Sequence, residues 1–226
     1  MLIDFKVKQN PKLFIKDPEG SEMGKQIIAT AIELIQEIGY EQFTFKKLGV
    51  KIPTTEATIY RYFENKHKLL IYLIDIYWSY IHFQIVFNLN NVSSPKEKIK
   101  KIIDLLVWED NSESFTIELD QKALFYIAIA EGSKTYLSKD VDNLNKDAFF
   151  KPYKDICEMI EQIFKAYNPN YKFCKSLASS LVETSHSQYF FMQHLPRLSD
   201  FSENKDPKEL ELFLENMVFG ALNNPI

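Results

Sequence analysis

The stretch Thr44–Leu70, TFKKLGVKIPTTEATIYRYFENKHKLL, decides how the N-terminal part of this chain folds. Apolar residues recur at helical spacing in two short segments, one on each side of Pro53. Thr55 can accept a backbone N–H group as the N-cap of the second segment. The sequence therefore predicts two short packed helices with a tight turn between them, as in a helix-turn-helix. The two apolar faces consist of Phe45, Leu48 and Ile52 in the first helix and Ile59 and Phe63 in the second.

The polar edge of this stretch is basic, although the whole chain is acidic. The 226 residues include 27 Lys and Arg against 31 Asp and Glu, a formal net charge of −4. Residues 44–68 contain six basic residues and two acidic ones, Glu56 and Glu64, which leaves a local excess of four positive charges. Clustered positive charge of this kind suits a surface that meets nucleic-acid phosphates. The six are Lys46, Lys47, Lys51, Arg61, Lys66 and Lys68.

Together with the residues before it, the stretch resembles the DNA-binding domain of TetR/AcrR-type transcriptional regulators, over about the first third of the chain. That family has a threonine opening its second helix, a small-residue pair, a hydroxyl cap, and an aromatic Y-x-x-F followed by x-x-K. Residues 24–44 look like the family's first helix, with Gly39 as its left-handed stop. The matching places are Thr44, Leu48-Gly49, Thr55, Tyr60-Arg61-Tyr62-Phe63 and Lys66, with Ile27, Ala31, Ile35 and Ile38 facing inward upstream.

Three residues depart from the family's pattern. Pro53 stands in the turn where glycine is usual, and because proline holds φ near about −65°, we expect a turn built differently. Gly49 stands where alanine is usual, which costs up to ~1 kcal/mol inside a helix unless the recognition helix approaches closely. Glu56 begins the recognition helix, where it can cap the helix or accept a hydrogen bond from a cytosine amino group.

The resemblance also implies which residues meet DNA. Lys66 has separate physical support, because it lies with Lys68 in the first turn of a helix, where the macrodipole disfavours cations by ~0.3–1 kcal/mol. An anion docked at that helix end would explain their placement, and solvated charges on an exposed turn are the alternative. We expect phosphate contacts from Thr44, Thr55, Tyr60, Tyr62 and Lys66, a further contact from Lys46, and base contacts from Thr54, Glu56, Ala57, Thr58 and Arg61.

The rest of the chain predicts an all-α protein. Glycine and proline are scarce, at 6 and 9 residues, and long segments carry apolar residues at helical spacing. Asn65 can cap a helix to about residue 87, and Ser94 begins another that reaches about residue 108. Residues 108–120 read as a polar loop. Further helices are expected at about 119–131, 147–167, 171–194 and 207–222.

These elements divide the chain into three parts. Residues 1–20 form an N-terminal arm, residues 21–66 a three-helix helix-turn-helix domain, and residues 67–226 a larger helical ligand-binding and dimerisation domain. We expect the arm to be held by packing of its apolar residues, and a basic arm entering the DNA minor groove is the alternative. The apolar residues of the arm are Leu2, Phe5, Leu13 and Phe14.

Two surfaces of the larger domain follow from the resemblance, since family members commonly bind inducers between the middle helices and pair through the last two. The aromatic residues expected to line a ligand pocket could equally be ordinary core. They are Tyr77, Trp78, Trp108, Phe125, Tyr126, Phe149 and Tyr153. The residues expected at the dimer interface are Leu177, Leu181, Thr184, Phe191, Phe213, Leu214 and Met217.

An enzyme is the competing class of function. Glu183 and His186 have the Glu-x-x-His spacing of carboxylate-bridged di-iron bundles, but the other such pair, Glu64 and His67, falls inside the DNA-reading region. We therefore predict no metal site, no cofactor and no catalysis, since neither a Ser/His/Asp arrangement nor a phosphate-binding glycine loop is visible. Cys157 and Cys174 have no metal-ligand spacing and predict free thiols.

The sequence as a whole predicts a homodimeric, all-helical, TetR-like transcriptional regulator. We expect a cytoplasmic repressor that binds a palindromic double-stranded operator and is released by a small, largely apolar molecule, with no membrane partner. Charged residues interrupt the apolar residues at the N-terminus, and no run of about 18 apolar residues follows elsewhere. The alternatives are a helical-bundle enzyme and a small-molecule-binding protein without DNA-linked induction.

Overall fold

A computed structural model describes residues 9–107 and 119–224 in full and the backbone of residues 3–4 and 115–116. The predicted all-α class is confirmed. A two-residue parallel pairing, β1 at Ile3–Asp4 with β2 at Phe115–Thr116, accompanies the helices. The helices are α1 Glu22–Gln42, α2 Phe45–Lys51, α3 Glu56–Tyr60, α4 Lys66–Leu89, α5 Pro95–Leu106, α6 Gln121–Glu131, α7 Ser133–Tyr136, α8 Val141–Lys146, α9 Lys151–Tyr167, α10 Cys174–His194 and α11 Pro207–Asn223.

Polar side chains cap the N-terminal helices, and those of α2, α3 and α4 lie where the sequence predicts. The side chain of Ser21 accepts the N–H of Gly24 at the start of α1. Thr44 does the same for α2 and Thr55 for α3, at 3.2 and 3.3 Å. Asn65 accepts the N–H of Lys68 at 2.9 Å and so caps α4. Each cap satisfies a backbone donor that the first helical turn leaves without a partner, which fixes where the helix begins.

Gly39 behaves differently from the predicted helix stop. Its φ of 74° is positive, as expected, but its ψ is 156°, which lies outside the left-handed helical region. The helical assignment continues across this kink to Gln42, and the N–H of Phe43 then bonds back to the carbonyl oxygens of Gly39 and Tyr40 at 3.2 Å. Gly39 therefore bends the end of α1, and the helix ends three residues later.

The chain forms two compact units. The first contains Met1–Ser79 and Ser112–Lys151, and the second contains Tyr80–Asn111 and Pro152–Ile226. Helices α6, α7 and α8 thus cluster with the N-terminal helices, although α7 and α8 were not expected from the sequence. The boundaries proposed above, at residues 20 and 66, remain a prediction about which part of the chain reads DNA.

In the second unit, α11 packs against α10 and α5. Buried residues recur every four positions along α11. Beyond the end of α9, the side-chain amide of Asn168 donates to the carbonyl oxygen of Leu222 on α11 at 2.7 Å. An ion pair of 2.8 Å between Lys100 and Glu215 links α5 to α11. The four residues of the repeat, all with no exposed surface, are Leu210, Leu214, Val218 and Leu222.

Among the described residues, α4 alone is long and apolar enough to cross a membrane by length and composition. Its most apolar 18-residue window is 78% buried inside the protein. That burial is what a core helix of a packed domain shows, so α4 is accounted for by internal packing.

Candidate nucleic-acid interface

The turn of the helix-turn-helix is built around Pro53, as the sequence predicts. Ile52 before it has φ −95° and ψ 132°, an extended conformation, and its N–H ends α2 by bonding to Leu48. The N–H of Thr54 then reaches back to the carbonyl oxygen of Ile52 at 2.5 Å. No residue of this turn has a positive φ, so the geometry that glycine supplies in the family pattern is not used here.

Gly49 allows α2 and α3 to come close together. A Cβ atom at this position would lie 3.3 Å from the carbonyl oxygen of Thr54 and 3.4 Å from the amide nitrogen of Glu56. These distances are tighter than ordinary van der Waals contact, so alanine would push the start of the recognition helix away by a few tenths of an ångström. The close approach that would justify a mid-helix glycine is therefore present.

A packed aromatic base lies under the polar residues of α2 and α3. The predicted apolar faces are buried, with Leu48, Ile52, Ile59 and Phe63 showing no exposed surface. The rings of Phe45 and Tyr60 meet edge to face at 4.9 Å, although 47% of Tyr60 stays exposed. These buried residues thus hold the backbone of the recognition helix in place, while its polar side chains stay on the surface.

Most residues predicted to contact DNA are accessible. Thr54, Thr58 and Lys66 are half-buried, and Thr58 shares a 3.0 Å hydrogen bond with Thr55 through their hydroxyl groups. Tyr62 differs, because only 4% of it is exposed. The exposed members are Thr44, Lys46, Thr55, Glu56, Ala57, Tyr60 and Arg61.

Lys66 has a structural role that the sequence did not reveal. Its ammonium donates to the carbonyl oxygens of Tyr40, Glu41 and Phe43 at 3.0, 3.3 and 3.2 Å, and lies 4.5 Å from the ring centre of Tyr40. These carbonyl groups form the negative end of α1, and an ammonium has three N–H donors. The placement of this cation is therefore explained without a docked anion, so it gives no separate support to the phosphate contact that the family pattern implies for Lys66.

The N-terminal arm packs on the first unit, as expected for Leu13 and Phe14. Leu13 is 1% exposed, and the ring of Phe14 meets that of Tyr72 at 6.2 Å. Leu2 and Phe5, the other two residues expected to hold the arm, lie outside the described residues.

Four of the predicted ligand-binding aromatics lie together in the first unit. The ring centres of Tyr77 and Trp78 are 4.9 Å apart, those of Tyr77 and Phe125 6.4 Å, and those of Phe125 and Tyr126 5.8 Å. We call these four residues the aromatic cluster. Tyr126 is half-buried and the other three are buried.

The remaining aromatic candidates lie elsewhere. The ring of Phe149 lies 4.0 Å from the ammonium of Lys68. Tyr153 lies in the second unit, where its hydroxyl donates to a carboxylate oxygen of Glu183 at 2.7 Å. Trp108 lies outside the described residues.

Sequence reasoning missed Asp75, a buried carboxylate in the apolar middle of α4. It is 7% exposed, and burial raises its pKa from 3.8 to about 7. The apolar middle of α4 therefore contains an ionisable side chain. A single aspartate within the run LLIYLIDIYWSY was the available signal.

Two of the residues predicted at the dimer interface are buried within the second unit. Leu181 and Leu214 have no exposed surface, so they cannot meet a partner in this conformation. Phe213 is 37% exposed. The other four are half-buried and stay candidates, namely Leu177, Thr184, Phe191 and Met217.

The structure also shows the surroundings of the residues that were considered for an enzyme. Among the described residues, no group of three or more His, Cys, Asp and Glu side chains could hold a metal ion. His186 is buried, which lowers its pKa to about 4. Cys157 and Cys174 are free thiols, and burial raises the pKa of Cys157 to about 11.

Comparison with known proteins agrees with the geometry of the N-terminal part. Residues 27–73 match the family described as bacterial regulatory proteins, tetR family. The chain is 21% identical to an uncharacterized HTH-type transcriptional regulator, YuxN, of Bacillus subtilis, over 90% of this chain and 72% of that protein. It is 32% identical to the fatty acid metabolism regulator protein of the same organism, over 44% of this chain and 54% of that protein.

The fold extends this likeness beyond the helix-turn-helix. A crystal structure of AibR in complex with isovaleryl coenzyme A and operator DNA is similar, with a TM-score of 0.60 and 16% identity. The match covers 87% of this chain and 98% of that one. The resemblance to TetR-type regulators is confirmed.

Proposed function

We propose that this chain, a TetR-type DNA-binding transcriptional regulator, acts in the cytoplasm as a homodimeric repressor that a small molecule releases from a palindromic operator. The observation that carries the proposal is the capped helix-turn-helix. Buried apolar residues hold its recognition helix in place, and the exposed side of that helix is polar. Its exposed residues include Glu56, Ala57 and Arg61, which can reach base edges in a major groove.

A dimer is needed because one recognition helix of five residues reads too few base pairs. Two copies on one face of B-DNA must present their recognition helices about 34–36 Å apart, one helical turn of DNA. The outer faces of α10 and α11 support such a pairing, since Leu177, Phe191 and Phe213 remain partly exposed there. Ser180 and Thr184 on the same face of α10 allow two helices to come close.

The ligand we propose is largely apolar and contacts the aromatic cluster. One relative is named as a regulator of fatty acid metabolism, and a structural neighbour was crystallised with isovaleryl coenzyme A, so ligands with acyl chains are the first class to test. Asp75 offers a place for a polar or cationic group, which an apolar surface alone would not provide.

Within the first unit, hydrogen bonds and ion pairs connect the end of α6 to the end of α1, and we propose that they transmit ligand binding to the DNA-reading helices. Helix α6, which carries Phe125 and Tyr126, packs against α1. At its end, Glu131 accepts the N–H of Tyr40 at 3.3 Å, and Lys134 forms ion pairs of 2.5 Å with Glu41 and 2.7 Å with Glu131. A ligand that moves α6 would therefore move the end of α1, and differential affinity for the two states would weaken DNA binding.

Selection of bound DNA from a random pool tests the function. We expect recovery of a palindrome whose half-sites are separated by about 10–10.5 base pairs, centre to centre. Recovery of no enriched sequence, under conditions where the protein is folded, would overturn the regulator. A thermal-shift screen with acyl compounds then tests the ligand, because a hundredfold excess over the dissociation constant stabilises the native state by ~2.7 kcal/mol. If no compound raises the midpoint, release by such a ligand is excluded.

A further inference from the structure

The segment of residues 10–21 is held at two places on the first unit. Near its start, Lys12 forms an ion pair of 2.6 Å with Asp147, and the side-chain amide of Asn10 donates to the carbonyl oxygen of Asp147 at 2.7 Å. Further along, the N–H of Ile15 donates to the carbonyl oxygen of Tyr62 at 2.8 Å. The segment therefore has a defined place beside the end of the recognition helix.

This docking brings Lys16 and Ser21 to the hydroxyl of Tyr62. The ammonium of Lys16 donates to the hydroxyl oxygen at 3.3 Å and lies 5.0 Å from the ring centre. The hydroxyl of Ser21 lies 2.9 Å away and shares a hydrogen bond. Although the ring of Tyr62 is buried, its hydroxyl lies close to the surface, and Lys16 is exposed. We call these three residues the tyrosine cluster.

The tyrosine cluster favours negative charge. The hydrogen bond from Ser21 lowers the pKa of Tyr62, and Lys16 lowers it further through its hydrogen bond and its charge, as does the charge of Arg61. Each of these influences stabilises an oxygen anion at this point. The same arrangement of a cation and two hydroxyl groups suits an oxygen of a phosphate.

The charge of Lys16 is available for such a contact. The nearest acidic residues in the chain, Asp17 and Glu19, have other partners: Asp17 accepts the N–H of Glu19 at 3.0 Å, and Glu19 accepts the hydroxyl of Tyr72 at 3.4 Å. Lys16 forms no ion pair with an acidic residue of the described part of the chain. Lys12, by contrast, is neutralised by Asp147.

We propose that Lys16, Ser21 and Tyr62 together bind one phosphate of the DNA backbone beside the recognition helix, so that the N-terminal segment forms part of the interface. The proposal rests on the proposed function, because it needs the recognition helix to lie on DNA. It differs from an arm that enters the minor groove, since the segment is tied to Tyr62 and stays on the protein surface. Lys16 then contributes to affinity for any duplex and carries no sequence information.

The test is the salt dependence of DNA binding for wild type, Lys16→Ala, Lys16→Arg and Lys165→Ala, on the selected operator and on an unrelated duplex. Removing one phosphate contact should reduce the slope of log affinity against log salt by about 0.9 on both duplexes. Between 50 and 200 mM salt, wild type should thus lose about 3.5-fold more affinity than Lys16→Ala. Lys16→Arg should keep the wild-type slope. Lys165→Ala should also keep it, because Glu161 on the same helix of the second unit neutralises Lys165 at 2.7 Å.

A second variant, Tyr62→Phe, removes the hydroxyl and keeps the ring. It should weaken binding to both duplexes at every salt concentration without changing the slope, and its melting temperature shows whether the fold is intact. An unchanged slope for Lys16→Ala, or an equal reduction in Lys165→Ala, would overturn the phosphate site while the regulator stands. A wild-type protein that binds neither duplex would instead overturn the proposed function, and the site with it.

Discussion

The helix-turn-helix and the last two helices, α10 and α11, are both built from helices with apolar faces, but the sequence predicts which residues are buried more accurately in the helix-turn-helix. In α2 and α3, each helix has one apolar face, and Leu48 and Ile59 on those faces are fully buried. In α11, Leu214 is fully buried while its neighbour Phe213 is 37% exposed. Helical phase therefore located the polar outer surface of α2 and α3, whereas two residues expected at the dimer interface, Leu181 and Leu214, are buried.

The difference follows from how many neighbours each helix has. A short helix at the surface buries one stripe, and everything else on it is outside. A long helix in a bundle buries one stripe within its own chain, and a second apolar face can serve a partner. Leu181 and Leu214, which were predicted at the partner face, are both buried within the chain. Residues that repeat without a break every four positions, as in α11, are the sequence signal for the internal stripe.

The largest expected effect tests this division of the two apolar faces. Phe213→Glu and Leu177→Glu, on the outer faces, should yield folded monomers, because the dimer would bury an unpaired charge. Operator affinity should then fall toward non-specific binding, on the order of 10³-fold or more. Sedimentation velocity and a binding titration measure both results.

Controls separate dissociation from unfolding. Leu137→Glu places the same charge at a leucine that is 75% exposed in the first unit, and should change neither assembly nor affinity. Leu181→Glu, at the internal stripe, should unfold the second unit instead of releasing monomers. If Leu181→Glu gives a folded monomer and Phe213→Glu stays dimeric, we have exchanged the two faces.

Asp75 extends the comparison to a helix that is buried on nearly all sides. Because its pKa is about 7 in the folded chain and near 3.8 ordinarily, the folded state binds its proton more tightly. Its contribution to stability is thus present at pH 4 and is lost as the pH rises through 7. Asp75→Asn should therefore raise the free energy of unfolding at pH 8, by up to about 4 kcal/mol, and much less at pH 5. Denaturant titrations at both pH values measure this, and an equal effect at both would contradict it.

Asp147 offers a matched control with the opposite sign. Its pKa is lowered by the hydrogen bond and charge of Lys12, so its stabilising contribution is present at neutral pH and is lost on acidification. Asp147→Asn should therefore reduce stability at neutral pH, whereas Asp75→Asn should increase it. Because 39% of the Asp147 side chain is exposed to solvent, the loss should be small.

The sequence predicted the parts of the fold that short-range chemistry determines. Thr44, Thr55 and Asn65 cap the helices expected of them, and Pro53 shapes the turn because it acts on adjacent residues only. Features that join distant segments were not predicted. Lys66 on the end of α1 and Lys16 on Tyr62 depend on contacts across 23 to 46 positions of chain, which no local pattern encodes.

Arg61 tests whether the exposed side of the helix-turn-helix reads bases. It is exposed at the C-cap of α3, next to the cluster of polar residues on that helix. Arg61→Ala should cost about 1–3 kcal/mol on the selected operator and relax preference at one base pair. Lys46→Ala, an exposed lysine on α2, should instead weaken binding to all duplexes alike. Equal losses for Arg61→Ala on operator and unrelated DNA would assign Arg61 to the backbone.

The smallest expected effect concerns Lys66, where the family pattern and the geometry disagree. Its three N–H donors are taken by the carbonyl oxygens of Tyr40, Glu41 and Phe43, so Lys66→Ala should leave those acceptors unpaired and lower the free energy of unfolding by ~1 kcal/mol. The salt slope of DNA binding should stay that of wild type, in contrast to Lys16→Ala. A slope reduced by about 0.9, with stability unchanged, would mean that Lys66 leaves α1 and binds a phosphate when DNA is present. In that case the helix-turn-helix would rearrange when it binds DNA. Local sequence pattern would then predict its DNA-bound structure less well than it predicts the free structure, and the contrast with α10 and α11 would be smaller.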